Sequence, residues 1–535
     1  MIVLVGFMGA GKTTVGHIVA ERLGMPFVDS DLVIEQRLQR TIRDIFAIEG
    51  EVWFRDLERQ VIDELIRGPE AVVALGGGAL GDARTRAVLR NSHVVYLDVE
   101  LAEAMERVRH DEYRPLLHRA GLDELYSARD PVYRDIAGLR VDTNGRRPEA
   151  VAREVLSFLT ALPSLPAGVR SVFISPVGGT YHAYIGSSLL GHVPSLVPGL
   201  EDAEAVALVH GPADRAEAQR VADNLEATGL RVYDFLGPDS ESAKTFAAAA
   251  ELAEAMAEVA LHRSDVMVVV GGEPLCELAG FVAATFNRGM SLVLVPTTLV
   301  GQADSAVGGK NGLNLSQGRN LVGTIHQPRA VICDVDVALD HRDRGFKAGL
   351  AEIAKHGFIS ATGLLDVVQA SAGRAVAGDP EVIQDLVVRS LEVKADVVSR
   401  DEREQGDRTY LNYGHTFAHA IDQIAGSEMD GGDSLGLGLC CAAELARAQN
   451  RLEDSVVDLH REVLRALGLQ TRGRLDLEAM QAAWLRDKKY WRGVRFVVLN
   501  DLGSPESGVT ADQAVLREVV ARVGGERDVT GPRSA

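Results

Sequence analysis

The sequence is poor in cysteine and has no long apolar segment. Its 535 residues include four cysteines, Cys276, Cys333, Cys440 and Cys441, without the C-x-x-C spacing of a redox or zinc motif. A disulfide framework and a cysteine zinc site are therefore not indicated, and we expect buried free thiols. No run approaches the ~18 apolar residues that a membrane span requires. The first residues also do not resemble a signal peptide, so we expect a cytoplasmic protein without a membrane partner.

Basic charge is scarce as well. Lysine and arginine total 56 against 76 aspartates and glutamates, which gives a formal net charge of −20. Nucleic-acid binding needs a broad basic surface, so this balance argues against a nucleic-acid partner. An anionic substrate must instead meet local clusters of lysine and arginine. With 46% hydrophobic residues over this length, we expect an ordinary globular protein of several domains.

The clearest motif lies at the start of the chain. Gly6, Gly11, Lys12 and Thr13 fit G-x-x-x-x-G-K-[ST] directly after an apolar run that predicts a buried strand. Glycines allow backbone N–H groups to converge on phosphate oxygens, a lysine supplies positive charge, and the threonine hydroxyl is the expected Mg²⁺ ligand. The motif predicts a nucleotide site with these cradle residues: Gly9, Ala10, Gly11, Lys12, Thr13 and Thr14.

Hydrophobic patterning divides the chain. Short apolar runs alternate with helical patterns over residues 1–161, which predicts an α/β domain with a parallel sheet covered by helices. A stretch with two prolines follows and predicts a linker over residues 162–170. A second α/β region is expected at 171–335, and a mostly helical region at 336–523. Residues 524–535 are expected to be a disordered tail.

Further residues in the first region indicate a small anionic acceptor. Asp29 and Asp31 follow the second apolar run, so we expect both carboxylates at the carboxyl end of a strand, one for Mg²⁺ and one facing a hydroxyl. Arginine gives forked recognition of carboxylates, and glycines allow close backbone approach. The candidates with these properties are Arg55, Gly77, Gly78, Arg114 and Arg129.

In order and spacing, these motifs resemble shikimate kinase across residues 1–160. The resemblance implies phosphorylation of shikimate by ATP with Mg²⁺. It implies that Thr13 and Asp29 serve the metal and that Arg107, Arg114 and Arg146 join the ATP site, Arg114 lying in a lid. It also implies a shikimate site made of Asp31, Arg55, Gly77, Gly78 and Arg129, with Asp31 and Arg114 as catalytic residues.

In the second half, helical spacing pairs several polar residues. Glu352 and Lys355 are three residues apart, and His415 and His419 are four apart, so each pair lies on one helix face. Glutamate and histidine from separate helices are a plausible zinc shell.

Together with neighbouring strings such as PTTL at 296–299 and HQP at 326–328, this half resembles 3-dehydroquinate synthase over about residues 172–505. The resemblance implies an NAD-binding α/β part followed by a helical metal-binding part. The reaction expected is conversion of the seven-carbon phosphate DAHP to 3-dehydroquinate with NAD and Zn²⁺ or Co²⁺. A homodimer is also implied, with Arg288 reaching across its interface.

The resemblance assigns residues to each role. The catalytic residues are Lys310, Glu352, Lys355, Lys394, Arg408 and His419, and Glu352 and His415 would hold the metal. NAD would meet Asp239, Glu241, Lys244, Gly271, Gly272, Thr297, Thr298, Asp304, Lys310 and Arg319. DAHP would meet Arg288, Asp304, Lys310, Asn320, Lys355, Lys394, Arg408, Asn412, His419, Lys488 and Lys489.

Several positions depart from the family pattern. Glu273 and Cys276 stand in the glycine loop expected at the NAD pyrophosphate, where a carboxylate would repel phosphate and a side chain would add bulk. The third metal ligand, a histidine, aligns with Gly431, and Asp430 or Asp433 is the available substitute. Two hypotheses stay open: a bifunctional enzyme, or an active kinase fused to a synthase-like scaffold or dimerisation module.

Overall fold

The chain forms two compact units, Met1–Leu162 and Pro163–Ala535. The computed structural model describes residues 1–89, 92–109, 122–137, 139–160, 165–238, 240–360, 363–426, 429–485 and 493–525. Within these ranges no helix combines the length and apolar character needed to cross a bilayer. The division between the units falls in the predicted linker.

The smaller unit is built on a five-stranded parallel sheet in the order β2-β3-β1-β4-β5. All five strands lie in runs that the sequence pattern predicts. Most of their residues are buried, as expected for a parallel sheet covered on both faces. The strands are β1 (Ile2–Val5), β2 (Phe27–Asp29), β3 (Val72–Ala74), β4 (His93–Asp98) and β5 (Leu139–Asp142).

Eight helices accompany this sheet in the described part of the unit. Ile34, Ile45, Phe54 and Val61 form an apolar cluster that packs three of them, α2, α3 and α4, together. The helices are α1 (Lys12–Leu23), α2 (Ser30–Leu38), α3 (Ile42–Glu49), α4 (Glu51–Arg67), α5 (Ala83–Val88), α6 (Leu101–Val108), α7 (Leu122–Ile136) and α8 (Pro148–Thr160).

The larger unit contains a seven-stranded sheet in the order β6-β7-β14-β11-β10-β8-β9 and a separate hairpin, β12-β13. Six of the sheet strands run parallel, and β6 pairs antiparallel with β7 at one edge. The strands are β6 (Arg170–Ile174), β7 (Tyr181–Gly186), β8 (Ala205–His210), β9 (Arg231–Leu236), β10 (Val266–Gly271), β11 (Ser291–Pro296), β12 (Lys310–Leu315), β13 (Gly318–Ile325) and β14 (Ala330–Asp334).

Helices cover this sheet and then dominate the chain, as the composition predicts. One late hairpin interrupts them, β15 (Phe496–Asp501) with β16 (Ser504–Val509), and its first strand begins with four buried apolar residues. The helices are α9 (Val193–Leu196), α10 (Arg215–Glu226), α11 (Phe246–Glu258), α12 (Glu273–Thr285), α13 (Val335–Asp340), α14 (Phe346–Ile359), α15 (Leu364–Ala377), α16 (Pro380–Arg400), α17 (His415–Ala425), α18 (Gly431–Ala448), α19 (Asp454–Ala466), α20 (Leu477–Trp484) and α21 (Gln513–Val523).

Helix α18 holds α14 and α17 close together through glycines. A Cβ atom on Gly432 would lie 2.4 Å from the carbonyl carbon of Lys347 at the start of α14. A Cβ atom on Gly438 would lie 2.4 Å from the carbonyl oxygen of Gly414, which precedes α17. These contacts pack α14 and α17, which both bear polar candidate residues, against α18.

Two sequence-based expectations need correction. The predicted linker at 162–170 is one residue too long, because β6 begins at Arg170. Gly524 and Gly525 are not a free tail: Gly525 donates its N–H to the Gly473 carbonyl at 3.1 Å, which fixes the end of α21. The rest of the predicted tail, 526–535, lies outside the described residues.

We predict that residues 1–162 fold alone, because this unit encloses its own sheet and apolar cores. The fragment should show one cooperative thermal transition by circular dichroism. A matched fragment ending at residue 138 lacks β5 and α8 and should not show it. Non-cooperative melting of the 1–162 fragment would mean that the two units depend on a shared core.

Candidate active sites

The glycine-rich loop after β1 has the backbone conformation that a phosphate cradle requires. Gly6, Gly9 and Gly11 have φ of 146°, 78° and 91°, a region that favours glycine. A Cβ atom on Gly9 would also lie 2.5 Å from the Ala104 carbonyl oxygen. The loop ends at the N-terminus of α1, whose first N–H groups have no partner within the helix. The Lys12 ammonium group lies over the loop and donates to the Gly6 and Phe7 carbonyls at 2.9 and 3.0 Å.

The two predicted magnesium ligands lie together. The Thr13 hydroxyl donates to the Asp29 carboxylate at 3.1 Å. The other Asp29 oxygen accepts the N–H of Asp31 at 3.0 Å and caps α2. A hydroxyl and a carboxylate beside a phosphate cradle are oxygen donors of the kind Mg²⁺ prefers, so these residues fit that metal.

Beside the residues predicted to bind the acceptor lies a buried carboxyl group that was not predicted, that of Glu58. Glu58 is 3% exposed and accepts from Arg55 at 2.6 Å. Burial raises the pKa of Glu58 to about 7, although Arg55 opposes this shift. A Cβ atom on Gly76 would lie 2.5 Å from Asp31 Oδ1 and 2.9 Å from Glu58 Oε1, so the glycine admits both carboxyl groups.

Other predicted residues of this unit meet in the same cleft, of about 1140 Å³. The Tyr133 hydroxyl donates to the Gly77 carbonyl and bonds to Arg129, which ties α7 to the glycine turn. Arg107 donates to the Gly9 carbonyl at 3.3 Å, which ties α6 to the phosphate loop. The lining residues include Gly9, Ala10, Gly11, Lys12, Thr13, Thr14, Asp29, Asp31, Arg55, Gly77, Gly78, Arg107, Arg129 and Arg146. Arg114 lies outside the described residues.

In the larger unit, the sheet order creates a crevice at the carboxyl ends of β8 and β10. The chain leaves β8 toward β9 on one side and returns to β10 on the other, and such a switch point is where open α/β sheets bind nucleotides. Gly271 and Gly272 lie there, between β10 and the start of α12. Arg344 also approaches, since its guanidinium lies 3.6 Å from a Cβ position on Gly272 and pairs with buried Asp214 at 3.0 Å.

The first residue of α12, Glu273, does not carry the full negative charge that its position implies. Burial raises its pKa to about 8, and the charges of Glu277 and Asp304 add to the shift. The raised pKa favours the neutral carboxyl group, which can donate a hydrogen bond. This shift reduces the charge repulsion that the sequence predicts between Glu273 and a pyrophosphate. Nearby Lys244 is buried between Glu277 at 2.5 Å and Glu241 at 3.0 Å.

A buried cluster of charged groups brings together four predicted residues. Lys394 lies 2.8 Å from Asp304, and Lys355 lies 2.5 Å from Glu352 and 4.0 Å from Asp304. Burial alone would raise the pKa of Asp304, but Lys394 and Lys355 hold it well below its usual range. Burial lowers the pKa of Lys394. His356, which is not among the residues predicted from the sequence, lies 3.3 Å from Asp304.

Beside this cluster, a second carboxylate gathers polar residues. Glu404 accepts from Lys310 and from Asn412, each at 2.6 Å. Arg408 is 2% exposed and donates to the carbonyls of Gly308 and Glu402. The sequence pattern does not indicate Glu404, which lies in the turn that precedes Arg408.

The two predicted metal ligands are adjacent, but the proposed third is not with them. His415 Nε2 lies 3.1 Å from Glu352 Oε1. Asp433 instead pairs with Lys347 at 3.1 Å and accepts the Gln470 N–H at 3.0 Å, while Asp430 caps α18. The structure therefore does not bring Asp433 or Asp430 to the pair. Across the described ranges, the sole group of three metal-type side chains is Asp304, Glu352 and His356.

The remaining predicted residues are dispersed. The His419 ring lies 5.5 Å from that of His415, and Thr297 and Thr298 are buried just after β11. Arg319 pairs with Asp422 at 3.3 Å, Asn320 accompanies it on β13, and Arg288 lies in a short turn after α12. Asp239, Lys488 and Lys489 lie outside the described residues.

Comparison with known proteins agrees with this division. The shikimate kinase family model matches residues 8–160. The models for the N-terminal and C-terminal parts of 3-dehydroquinate synthase match residues 235–348 and 349–490. A 3-dehydroquinate synthase from Thermobifida fusca (strain YX) is 40% identical over 354 residues, which are 65% of this chain and 96% of that protein.

Two solved structures are similar to parts of the chain. A 2-deoxy-scyllo-inosose synthase complexed with carbaglucose-6-phosphate, NAD⁺ and Co²⁺ is 22% identical with a TM-score of 0.60, covering 66% of this chain and 99% of that one. This likeness shows the fold of the larger unit. A shikimate kinase from Acinetobacter baumannii is 41% identical, covers 30% of this chain and 92% of that one, and has a TM-score of 0.29.

Fold and sites thus define a two-part enzyme, a P-loop kinase domain followed by an α/β unit with a helical C-terminal domain. The chain belongs to the 3-dehydroquinate synthase family and carries a shikimate kinase domain in front of it.

Glu58 gives the smaller unit a testable pH dependence. Its folded-state pKa is raised from 4.5 to about 7, so its stabilising contribution is complete below pH 4.5 and is lost as pH rises through 7. Glu58→Gln keeps an oxygen for Arg55 but does not titrate. Relative to this variant, the wild-type free energy of unfolding should fall by about 2–3 kcal/mol between pH 5 and 7.5, measured by urea unfolding.

The matched control is Glu64→Gln, on the same helix but exposed, where Arg37 lowers the pKa of the carboxyl. This variant should keep the wild-type fall in stability. Parallel pH profiles for wild type and Glu58→Gln would show that Glu58 is not the titrating group.

Proposed function

We propose that the chain is a bifunctional enzyme of the shikimate pathway. Its smaller unit phosphorylates shikimate with MgATP, and its larger unit converts DAHP to 3-dehydroquinate and phosphate. The kinase activity is supported mainly by one cleft, which is lined by the phosphate loop, the Thr13–Asp29 pair and the acceptor residues. The synthase activity is supported mainly by the buried cluster of charged residues around Asp304.

For the kinase, the roles follow from position and charge. The loop N–H groups and Lys12 would bind the ATP phosphates, and Thr13 and Asp29 would hold Mg²⁺, which neutralises phosphate charge when bound. Asp31 would accept the proton of the attacking shikimate hydroxyl. Arg55 and Arg129 would bind the shikimate carboxylate, and Glu58 would orient Arg55. Phosphoryl transfer depends mostly on such positioning and charge neutralisation.

For the synthase, cationic side chains would bind an anionic substrate. DAHP carries a phosphate and a carboxylate, and Lys310, Lys355, Lys394 and Arg408 supply positive charge near one another. NAD, when bound at the crevice between β8 and β10, would supply the oxidation and the later reduction. Glu352, which lies 3.1 Å from His415, would contribute to holding a divalent metal. By family resemblance, we also propose a homodimer through this unit.

The alternative function, a synthase-like scaffold, is less well supported by the buried charges. Moving ions out of water costs several kcal/mol each, and a scaffold has no use for them. Lys355 and Lys394 are 1% and 5% exposed, and Glu352 is 6% exposed. Separate assays, with ATP and shikimate and with DAHP, NAD and Zn²⁺, test the two activities. Turnover of shikimate without turnover of DAHP would favour the scaffold.

Lys12→Ala should lower the kcat for shikimate phosphorylation by about 10³-fold or more, because its charge acts on the transferring phosphoryl group. Arg67→Ala is the matched control, since this cation is largely exposed at the end of α4. Its kcat should equal that of wild type. An unchanged rate in a folded Lys12→Ala protein would contradict the proposed phosphate site.

The raised pKa of the Glu273 carboxyl group predicts an affinity for NAD that depends on pH. The carboxyl group is mostly neutral below about pH 8 and negative above it, where it would repel the NAD pyrophosphate. Such repulsion amounts to about 1 kcal/mol or more, so the Kd for NAD⁺ should rise about fivefold or more between pH 7 and 9. Equilibrium binding by calorimetry measures this change.

Glu273→Gln should remove most of this dependence. Glu254→Gln, at an exposed position on α11, should keep it. A flat wild-type profile would show that the Glu273 carboxyl does not face the bound dinucleotide.

A further inference from the structure

Three side chains from two separate segments meet inside the larger unit. Asp304 follows β11, and Glu352 and His356 lie one turn apart on α14. One carboxylate oxygen of each acid and one ring nitrogen of the histidine all lie within 4.8 Å of one another. His356 is fully buried, Glu352 is 6% exposed and the Asp304 side chain is 20% exposed, so little water reaches the group.

The hydrogen bonds around His356 determine which of its nitrogens carries a proton. The Ser390 hydroxyl donates to the Ala303 carbonyl at 3.1 Å, so its oxygen can only accept from the ring. His356 Nδ1 lies 2.7 Å from that oxygen and therefore carries the proton. In neutral histidine, Nε2 then has a lone pair. Nε2 makes no hydrogen bond of good geometry and faces Asp304 Oδ1 at 3.3 Å, so in this protonation state two acceptors face each other.

Glu352 presents one oxygen to the same place. Its Oε1 is occupied by His415 at 3.1 Å. Its Oε2 makes no hydrogen bond of good geometry and is compensated by the Lys355 ammonium at 2.5 Å. Two anionic oxygens and one nitrogen lone pair in a buried pocket are the donor set that Zn²⁺ or Co²⁺ prefers.

We propose that Asp304, Glu352 and His356 bind a divalent transition-metal ion, in place of a site that would need a histidine at position 431. The ion fills the space between Asp304 and His356 Nε2, and the Nδ1 bond to Ser390 fixes the ring orientation, a common outer-shell arrangement for metal-binding histidine. The site lies in the unit with the proposed synthase activity, but it is tested by metal binding alone.

The neighbouring lysines make a distinctive prediction. Lys394 lies 2.8 Å from Asp304 and Lys355 lies 2.5 Å from Glu352, so both compete with an ion for the same oxygens. Removal of a lysine charge should therefore strengthen metal binding, whereas removal of a ligand should weaken it. A structural role for the cluster would not produce opposite changes in metal affinity.

The experiment titrates the chelator-stripped full chain with Zn²⁺ or Co²⁺ alone, in excess Mg²⁺ to occupy the Thr13–Asp29 site. We expect one tightly bound ion per chain and visible Co²⁺ absorption. His356→Asn should weaken binding by about 100-fold or more, since loss of an outer-shell partner alone costs about 10- to 100-fold. Lys394→Met should strengthen it. His460→Asn, at another buried histidine, should bind like wild type once circular dichroism confirms its fold.

Several outcomes would overturn the proposal. Loss of the ion in His415→Asn but not in His356→Asn would place it on the Glu352–His415 pair instead. Absence of ion binding in wild type would mean that a proton lies between His356 and Asp304. If His356→Asn does not fold, metal binding by Lys394→Met tests the proposal instead. Metal affinity that is unchanged or weaker in this variant would show that no ion uses Asp304. None of these results depends on DAHP turnover.

Discussion

Compensation of buried charge is the constraint on which both sites depend. In the smaller unit, Glu58 can be 3% exposed only because Arg55 pairs with it or a proton neutralises it. In the larger unit, Asp304 stays ionised because Lys394 and Lys355 surround it. A buried charge without a partner would cost several kcal/mol, so the candidate site residues of each unit also hold one another in place.

Most of the smaller unit is predictable from the sequence because its signals are local. The glycine loop, the lysine and the first helix lie within one short segment, and five apolar runs mark five strands. Glu58 was not predicted because its burial depends on a contact with Gly76 across the sheet edge, although its i,i+3 spacing from Arg55 was visible. Spacing along one helix does not show which face is buried.

Longer-range effects limited the prediction of the larger unit. The hairpin β12-β13 is rich in glycine and asparagine, so its residues lack the apolar alternation that indicates strands. His356 directly follows Lys355, but only folding places it against Asp304, about fifty residues earlier. Glu273 is visible in the sequence as a departure, but its raised pKa is not, because the shift arises from burial, from Glu277 on the same helix and from Asp304 on another segment.

The segment that lacks the expected histidine keeps its packing role. Gly432 allows α18 to contact the backbone of α14, and Asp433 pairs with Lys347 on the same helix. Gly431 has open space around it, so the absence of a side chain there relieves no crowding. Packing therefore does not explain the glycine at 431. The buried cluster around Asp304, which a metal or substrate would use, is nevertheless present. A metal site that uses other residues explains why the histidine at 431 is absent while the buried charges are present. A domain kept only as a scaffold would instead gain stability if apolar side chains replaced those charges.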